Sequence, residues 1–275
     1  MEKLFDSHAH YYDARFAREG EGADALLKRL FSGEVCGVVN VGTDLDNCRT
    51  VLAQAAKYPY MYAALGIHPS DGQGYDDPDA ALAALRAMMD TTEKRASGKI
   101  VALGEIGLDY HYPDTDKARQ AYLFEAQLGM ARELGLPVVI HDRDAHGDCF
   151  ETVCRHPDVM GVFHSYSGSA EMARDLVRRG WYISFSGVAT FKNAPRVREA
   201  IAAVPTERIL IETDCPYLAP HPHRGECNHS GLMRYTAAAV AEVKGMDVEE
   251  MIRRTAENAR ILFGISGKNA TDFGK

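Results

Sequence analysis

No apolar run in the 275-residue chain approaches the roughly 20 residues needed to cross a bilayer, so a membrane protein is not expected. The opening Met1-Glu2-Lys3-Leu4-Phe5-Asp6 passes straight into polar, histidine-containing sequence, without the apolar core and cleavage site of a signal peptide. None of the six cysteines (Cys36, Cys48, Cys149, Cys154, Cys215 and Cys227) forms a Cys-x-x-Cys pair. Scattered thiols in a chain this long read as reduced core residues, not as a disulfide framework. Together these features predict a cytoplasmic protein. Low-complexity tracts, short repeats and Pro/Gly/Ser linkers are also missing. Basic charge is in the minority, with 31 Lys and Arg against 39 Asp and Glu and a formal net charge of −8. That balance argues against coating duplex DNA by general electrostatics. It leaves phosphate substrates open, because bound divalent cations reverse the sign of the field locally.

What the chain does have is an alternation. Short β-branched runs fall at residues 3–6, 35–41, 60–65, 100–104, 138–140, 161–163, 181–185 and 208–211. Helix-like stretches separate them at 23–31, 46–57, 79–94, 115–134, 145–156, 169–179 and 195–204, and two more follow at 232–244 and 248–263. Val35, Val38, Val39 and Val41 form the nearly continuous apolar run expected of a parallel strand covered on both faces. Alternating strands and helices imply a parallel sheet with right-handed crossovers. Eight such units predict an α/β fold of the (β/α)8 TIM-barrel type, with residues 1–275 as one domain. The runner-up, an open doubly wound sheet, lacks a glycine-rich nucleotide loop after the first strand.

In such a barrel the side chains just past the C-terminal ends of the strands converge on one mouth. His8 and His10 follow the first run, His68 the third, Glu105 the fourth, His141 the fifth, His164 the sixth and Asp214 the eighth. Any one of these alone reads as a loop residue; seven at equivalent places do not. His8 and His10, two apart on a strand, face the same way and can grip one ion. Imidazole nitrogens with carboxylate oxygens suit zinc, manganese or iron, and magnesium where water completes the shell. A carboxylate such as Glu105 can bridge two ions, and two ions can hold both the attacking and the leaving oxygen of a displacement. Asp214 can also take a proton from the nucleophilic water. His68 is expected on the substrate's anionic oxygens instead of a metal. Arg224, in the Pro- and His-rich loop with His221, His223, Glu226 and His229, which is expected to overhang the mouth, is expected to hold a phosphate or carboxylate there. His111, His146 and His156 are expected to face solvent, as is the Arg253-Arg254 helix face.

These segments together resemble the TatD family of metal-dependent deoxyribonucleases, among the amidohydrolase-like barrels. The resemblance rests on Leu4-Phe5-Asp6-Ser7-His8-Ala9-His10, on Pro137-Val138-Val139-Ile140-His141-Asp142-Arg143-Asp144-Ala145, and on Arg208-Ile209-Leu210-Ile211-Glu212-Thr213-Asp214-Cys215-Pro216-Tyr217-Leu218. The stretches Gly104–Tyr110, His164–Gly168 and Asn258–Gly264 add to it, in the family's order. It implies one divalent metal ion (Mg, Mn or Zn) among His8, His10, Glu105 and Asp214, and a second among Glu105, His141 and His164. It implies hydrolysis of DNA phosphodiesters, often from a 3′ end, with single-stranded DNA or 3′ ends as the partner and no obligate protein partner. One departure stands out: the family's Arg-Gly-x-x-Asn-Glu-Pro loop reads Arg224-Gly225-Glu226-Cys227-Asn228-His229-Ser230 here.

Other readings compete. An amidase, lactonase or deacylase can use the same site, since a barrel hosts many chemistries. Relatives that bridge their metals with a carbamylated lysine carry Lys where this chain has Glu105, which favours the TatD-like side. A catalytically idle scaffold would have lost a ligand, and none is missing.

Overall fold

The computed structural model describes residues 1–90 and 97–265. Eight strands, β1 (Leu4–Ala9), β2 (Val35–Val41), β3 (Met61–Leu65), β4 (Ile100–Asp109), β5 (Val138–Arg143), β6 (Gly161–Phe163), β7 (Tyr182–Phe185) and β8 (Ile209–Ile211), pair in parallel and in chain order. Beyond the last strand the sheet closes on itself: Ala9 bridges Cys215, His10 N–H donates to Cys215 O at 2.9 Å, and Asp214 N–H donates to His8 O at 2.9 Å. The result is a (β/α)8 TIM barrel. No helix among the described residues is long and apolar enough to cross a membrane.

The helices are α1 (Arg15–Glu19), α2 (Ala23–Ser32), α3 (Leu45–Lys57), α4 (Pro78–Met89), α5 (Lys117–Leu134), α6 (His146–Cys154), α7 (Ala170–Arg178), α8 (Pro195–Ala203), α9 (Met233–Lys244) and α10 (Val248–Leu262). Their starts have local causes. Asp44, Asp77, Asp116, Ser169 and Asp247 each accept a hydrogen bond from a backbone N–H of the first turn, which satisfies donors the helix cannot. The helix expected over 79–94 is seen as α4; residues 91–94 lie outside the described residues.

Two apolar layers follow from strand alternation. One takes a side chain from every strand, including Phe5, Val39, Val101, Val162 and Leu210, and closes on Ala256, Ala259 and Phe263 in and just past α10. The other joins the outward faces of the strands to the helices. All six cysteines are free, with Cys48, Cys149 and Cys215 buried.

β4 and β5 run longer than their apolar runs suggest, because their pairing resumes past a bulge. Leu103 pairs Val138, the register slips before Ile106, and pairing then continues to Asp109 with Arg143. Gly107 permits this: its φ is 145°, and a Cβ there would stand 2.0 Å from His141 O. Glu105 and His141 therefore lie within β4 and β5, Glu105 in the bulge and His141 paired with Gly107, and not past the strand ends.

Candidate metal centre

Strict alternation along β1 would turn His8 away from the interior once Ser7 faces it. Ser7 does face it, with its Oγ 3.1 Å from Ser184 Oγ across the barrel. The register of β1 on β2 slips between Asp6 and Ala9, and a bulge of this kind re-aims the residues that follow. His8 and His10 consequently meet, Nε2 to Nε2, at 3.0 Å.

Glu105 stands between two groups of imidazoles. Its Oε2 lies 3.3 Å from His8 Nε2 and 3.8 Å from His10 Nε2. Its Oε1 lies 2.6 Å from His141 Nδ1 and 2.7 Å from His164 Nε2. Asp214 closes the first group, with Oδ1 3.3 Å from His10 Nε2 and 3.6 Å from His8 Nε2. Asp214 holds φ at 56°, a left-handed conformation that costs a side-chain-bearing residue roughly 1–2 kcal/mol and persists where the surroundings fix it. Thus His8, His10, Glu105, His141, His164 and Asp214 meet in one cluster; all but the fully buried His8 line the cavity beside it.

The far sides of the rings are also held. His10 Nδ1 donates to Val41 O at 2.8 Å. His141 Nε2 faces Asp109 Oδ2 and His164 Nδ1 faces Glu212 Oε1, both at 3.3 Å. A hydrogen bond on one ring nitrogen assigns the lone pair of the neutral ring to the other, so once the proton shared with Glu105 or Asp214 is displaced, all three rings have a lone pair on the side facing these carboxylates. His8 Nδ1 is buried with no partner among the described residues. His68 is the reverse case: its Nδ1 accepts from Ser70 N–H at 3.1 Å. Its Nε2 therefore carries the hydrogen, 3.7 Å from Glu105 Oε1.

Electrostatics favour bound cations. Burial pushes the Glu105 carboxyl up, but the imidazoles of His164, His8 and His68 and the bond to His141 hold it well below the usual range. Burial likewise opposes charge on Asp214, yet His10 and the other rings bring it down to about 2. Burial, with the neighbouring His141, pushes His68 down to about 3. Ionised carboxylates beside imidazoles with directed lone pairs are the donor set of zinc, manganese and magnesium sites. Glu105 with His8 and His10, and Glu105 with His141 and His164, each converge closely enough for one ion.

The group opens into a cavity of about 960 Å³ lined by seven carboxylates and by one Lys or Arg among the described residues, Arg143. His68 lines this cavity; Arg224 does not. Arg224 is exposed, with its guanidinium 4.2 Å from the centre of the Phe191 ring. His223 pairs with Glu226, and His229 Nδ1 accepts from Gly231 N–H. His111 is exposed as expected, but His146 and His156 are half-buried against Asp142 and Glu125, whose charge makes partial burial tolerable. Arg253 and Arg254 pair with Glu250 along a solvated helix face.

Sequence reasoning missed Asp109 and Glu212. The signal was there: each lies an even number of residues from a carboxylate of the cluster, Asp109 four beyond Glu105 and Glu212 two before Asp214. The loop departure also finds its place. Ser230 Oγ donates to Asp6 Oδ2 at 2.7 Å, and Ser230 N–H donates to Tyr11 OH at 3.0 Å. Asp6 is buried in the β1–β8 seam, where it also accepts from Thr213 N–H and Thr213 Oγ1.

Comparison with known proteins agrees with this geometry. The family model described as TatD related DNase matches residues 5–264. The metal-dependent hydrolase YabD of Bacillus subtilis is 38% identical over 266 residues, which span 96% of this chain and all of that one. The metal-dependent hydrolase TatD of Mycobacterium tuberculosis is 35% identical over 95% of this chain and 98% of its own. The crystal structure of YjjV, a TatD homolog from Escherichia coli, superposes with a TM-score of 0.86 at 30% identity, covering 96% of this chain and 98% of that one.

Proposed function

Since the chain belongs to the TatD-related DNase family and is a metal-dependent hydrolase, we propose that it cleaves phosphodiesters of DNA, from 3′ ends, with two divalent cations on either side of Glu105. The observation that carries this reading is the division of one carboxylate between two imidazole groups, Oε2 toward His8 and His10, Oε1 toward His141 and His164. His8, His10, Glu105 and Asp214 would hold one ion, and Glu105, His141 and His164 the other. Such cations supply Lewis acidity, which acidifies a water and neutralises charge building on a phosphoryl group.

The chain's own residues do the rest. Asp214 has a side chain 17% exposed against 4% for Glu105, so it reaches solvent and, being ionised, accepts the water's proton. His68 keeps its N–H aimed at the centre and donates it to a phosphoryl oxygen. Pairing on both sides of the bulge, Leu103 with Val138 and Ile106 with Ile140, holds Glu105 between them, and Gly107 pairs His141, so that little reorganisation accompanies charge movement.

The test is a single-stranded oligonucleotide incubated with purified protein and Mg, Mn or Zn, alongside elemental analysis. Mononucleotides released from the 3′ end are expected. Protein that carries its metal yet leaves DNA intact, while cleaving a carboxylic ester, lactone or acylated adduct, would replace the nuclease assignment.

A further inference from the structure

The acidic mouth raises a problem for a polyanion. Away from the centre, Asp13, Asp44, Asp71 and Asp142 line the cavity, and Arg143 is the one Lys or Arg among its described lining residues. A strand leaving the cations is repelled along most of that rim. The exception is the sector after β7 and β8, where the lining turns apolar at Val188 and Leu218.

That sector leads to a second cavity. A Cβ on Gly187 would stand 2.0 Å from Leu218 O, so the two loops are pressed together there. Two residues beyond Val188 and three beyond Leu218, Thr190 and His221 are tied by a 2.8 Å hydrogen bond from His221 N–H to Thr190 Oγ1. Both line an open cavity of about 350 Å³ with Lys192, Arg198 and Tyr235. Arg198 is partly neutralised by Glu242 at 3.0 Å. Lys192 is exposed and has no ion pair among the described residues. Arg224 joins this shoulder by resting on Phe191, the neighbour of Lys192, which leaves the edge of its guanidinium free. Tyr235 is 42% exposed, and the His223 ring lies 5.0 Å away.

We infer that this shoulder is a second substrate subsite that holds single-stranded DNA as it leaves the metal centre, with Lys192 and Arg224 on phosphates and Tyr235 stacked on a base. The inference rests on the nuclease reading and deepens it. Cationic side chains with an exposed aromatic ring are what sequence-tolerant strand binding requires. The placement also accounts for Arg224, which the sequence puts at the mouth and the structure sets outside it.

The experiment compares wild type with Lys192→Ala, Arg224→Ala and Tyr235→Ala on an oligonucleotide of about eight nucleotides and on bis(p-nitrophenyl) phosphate. Binding of a cleavage-resistant phosphorothioate strand is followed against salt. Each lost phosphate contact should shrink the log–log salt slope by about 0.7, which near 0.1 M salt corresponds to about fivefold in affinity. The ratio of kcat/KM on the oligonucleotide to that on the small diester should fall in step for both charge variants. Tyr235→Ala should lower the same ratio by about fivefold or more with the salt slope kept. Wild-type slopes and ratios in Lys192→Ala and Arg224→Ala together would overturn the subsite. Failure of the wild type to cleave any DNA would instead remove the nuclease reading, and the phosphorothioate binding would still decide whether this surface takes a strand.

Discussion

Asp109 Oδ2 lies 3.3 Å from His141 Nε2, on the side of the ring away from Glu105. The carboxylate fixes which imidazole nitrogen keeps its hydrogen, so the proton displaced by a cation is the one on Nδ1 beside Glu105 Oε1. Asp109→Ala should leave the barrel folded and weaken cation affinity by about 10- to 100-fold, the range for loss of such an outer partner. His141→Ala should go further and lower metal content along with activity. Metal titration followed by calorimetry distinguishes them, and an Asp109→Ala protein with wild-type affinity would show that the ring needs no such support.

Asp214 has a different prospect, because it both faces His10 and reaches the cavity. Asp214→Asn keeps an oxygen for coordination but removes the proton acceptor. Turnover is expected to drop by about 10²- to 10⁴-fold, the usual weight of a general base, while metal content falls much less. Elemental analysis beside steady-state rates checks this; wild-type turnover would exclude Asp214 as the base.

Protons should leave when cations enter. Burial works against charge on His10, His141 and His164, yet the carboxylates of Asp214, Asp109 and Glu105 beside them raise all three above the ordinary imidazole value. In the metal-free protein these rings therefore stay protonated to higher pH than free histidine, and a cation must displace that proton to use the lone pair. Affinity should fall as pH is lowered, by about tenfold per pH unit for each proton displaced. Calorimetry in two buffers of different ionisation enthalpy measures the protons released; none released, with affinity flat from about pH 6 to 8, would contradict the sign.

How much of this was readable beforehand differs between fold and site. The β/α alternation was legible because a parallel strand covered on both faces reads as an unbroken apolar run, as Val38 and Val39 show. That His8, His10, Glu105, His141, His164 and Asp214 cluster was legible because strand ends in a barrel point to one place. Two things were not. The bulges after Asp6 and Leu103 depend on pairing between strands distant in sequence, so a simple two-residue period could not place Ser7 and His8 on the same side. Arg224 was misplaced because its position depends on Phe191, a contact between two loops that no local pattern encodes.

The β1–β8 seam carries the last expectation. Asp6 is fully buried and takes hydrogen bonds from Thr213 N–H, Thr213 Oγ1 and Ser230 Oγ. Ser230 stands where the resembling family carries proline, a residue with no N–H and no hydroxyl. Here both groups are used, one on Tyr11 and one on Asp6. Ser230→Ala withdraws a donor from a buried carboxylate, which costs about 1–3 kcal/mol; for a chain of this size that is roughly 2–4 °C in Tm per kcal/mol. Ser230→Pro removes the N–H as well and should cost more, even though it restores the family's residue. Because Asp6 lies two residues from His8 and bonds the residue before Asp214, both variants should also loosen the first cation group. Thermal unfolding with and without metal tests the pair of effects. Unchanged melting in Ser230→Ala would mean that Thr213 and the His8 N–H satisfy Asp6 without it and that the serine is incidental to the seam.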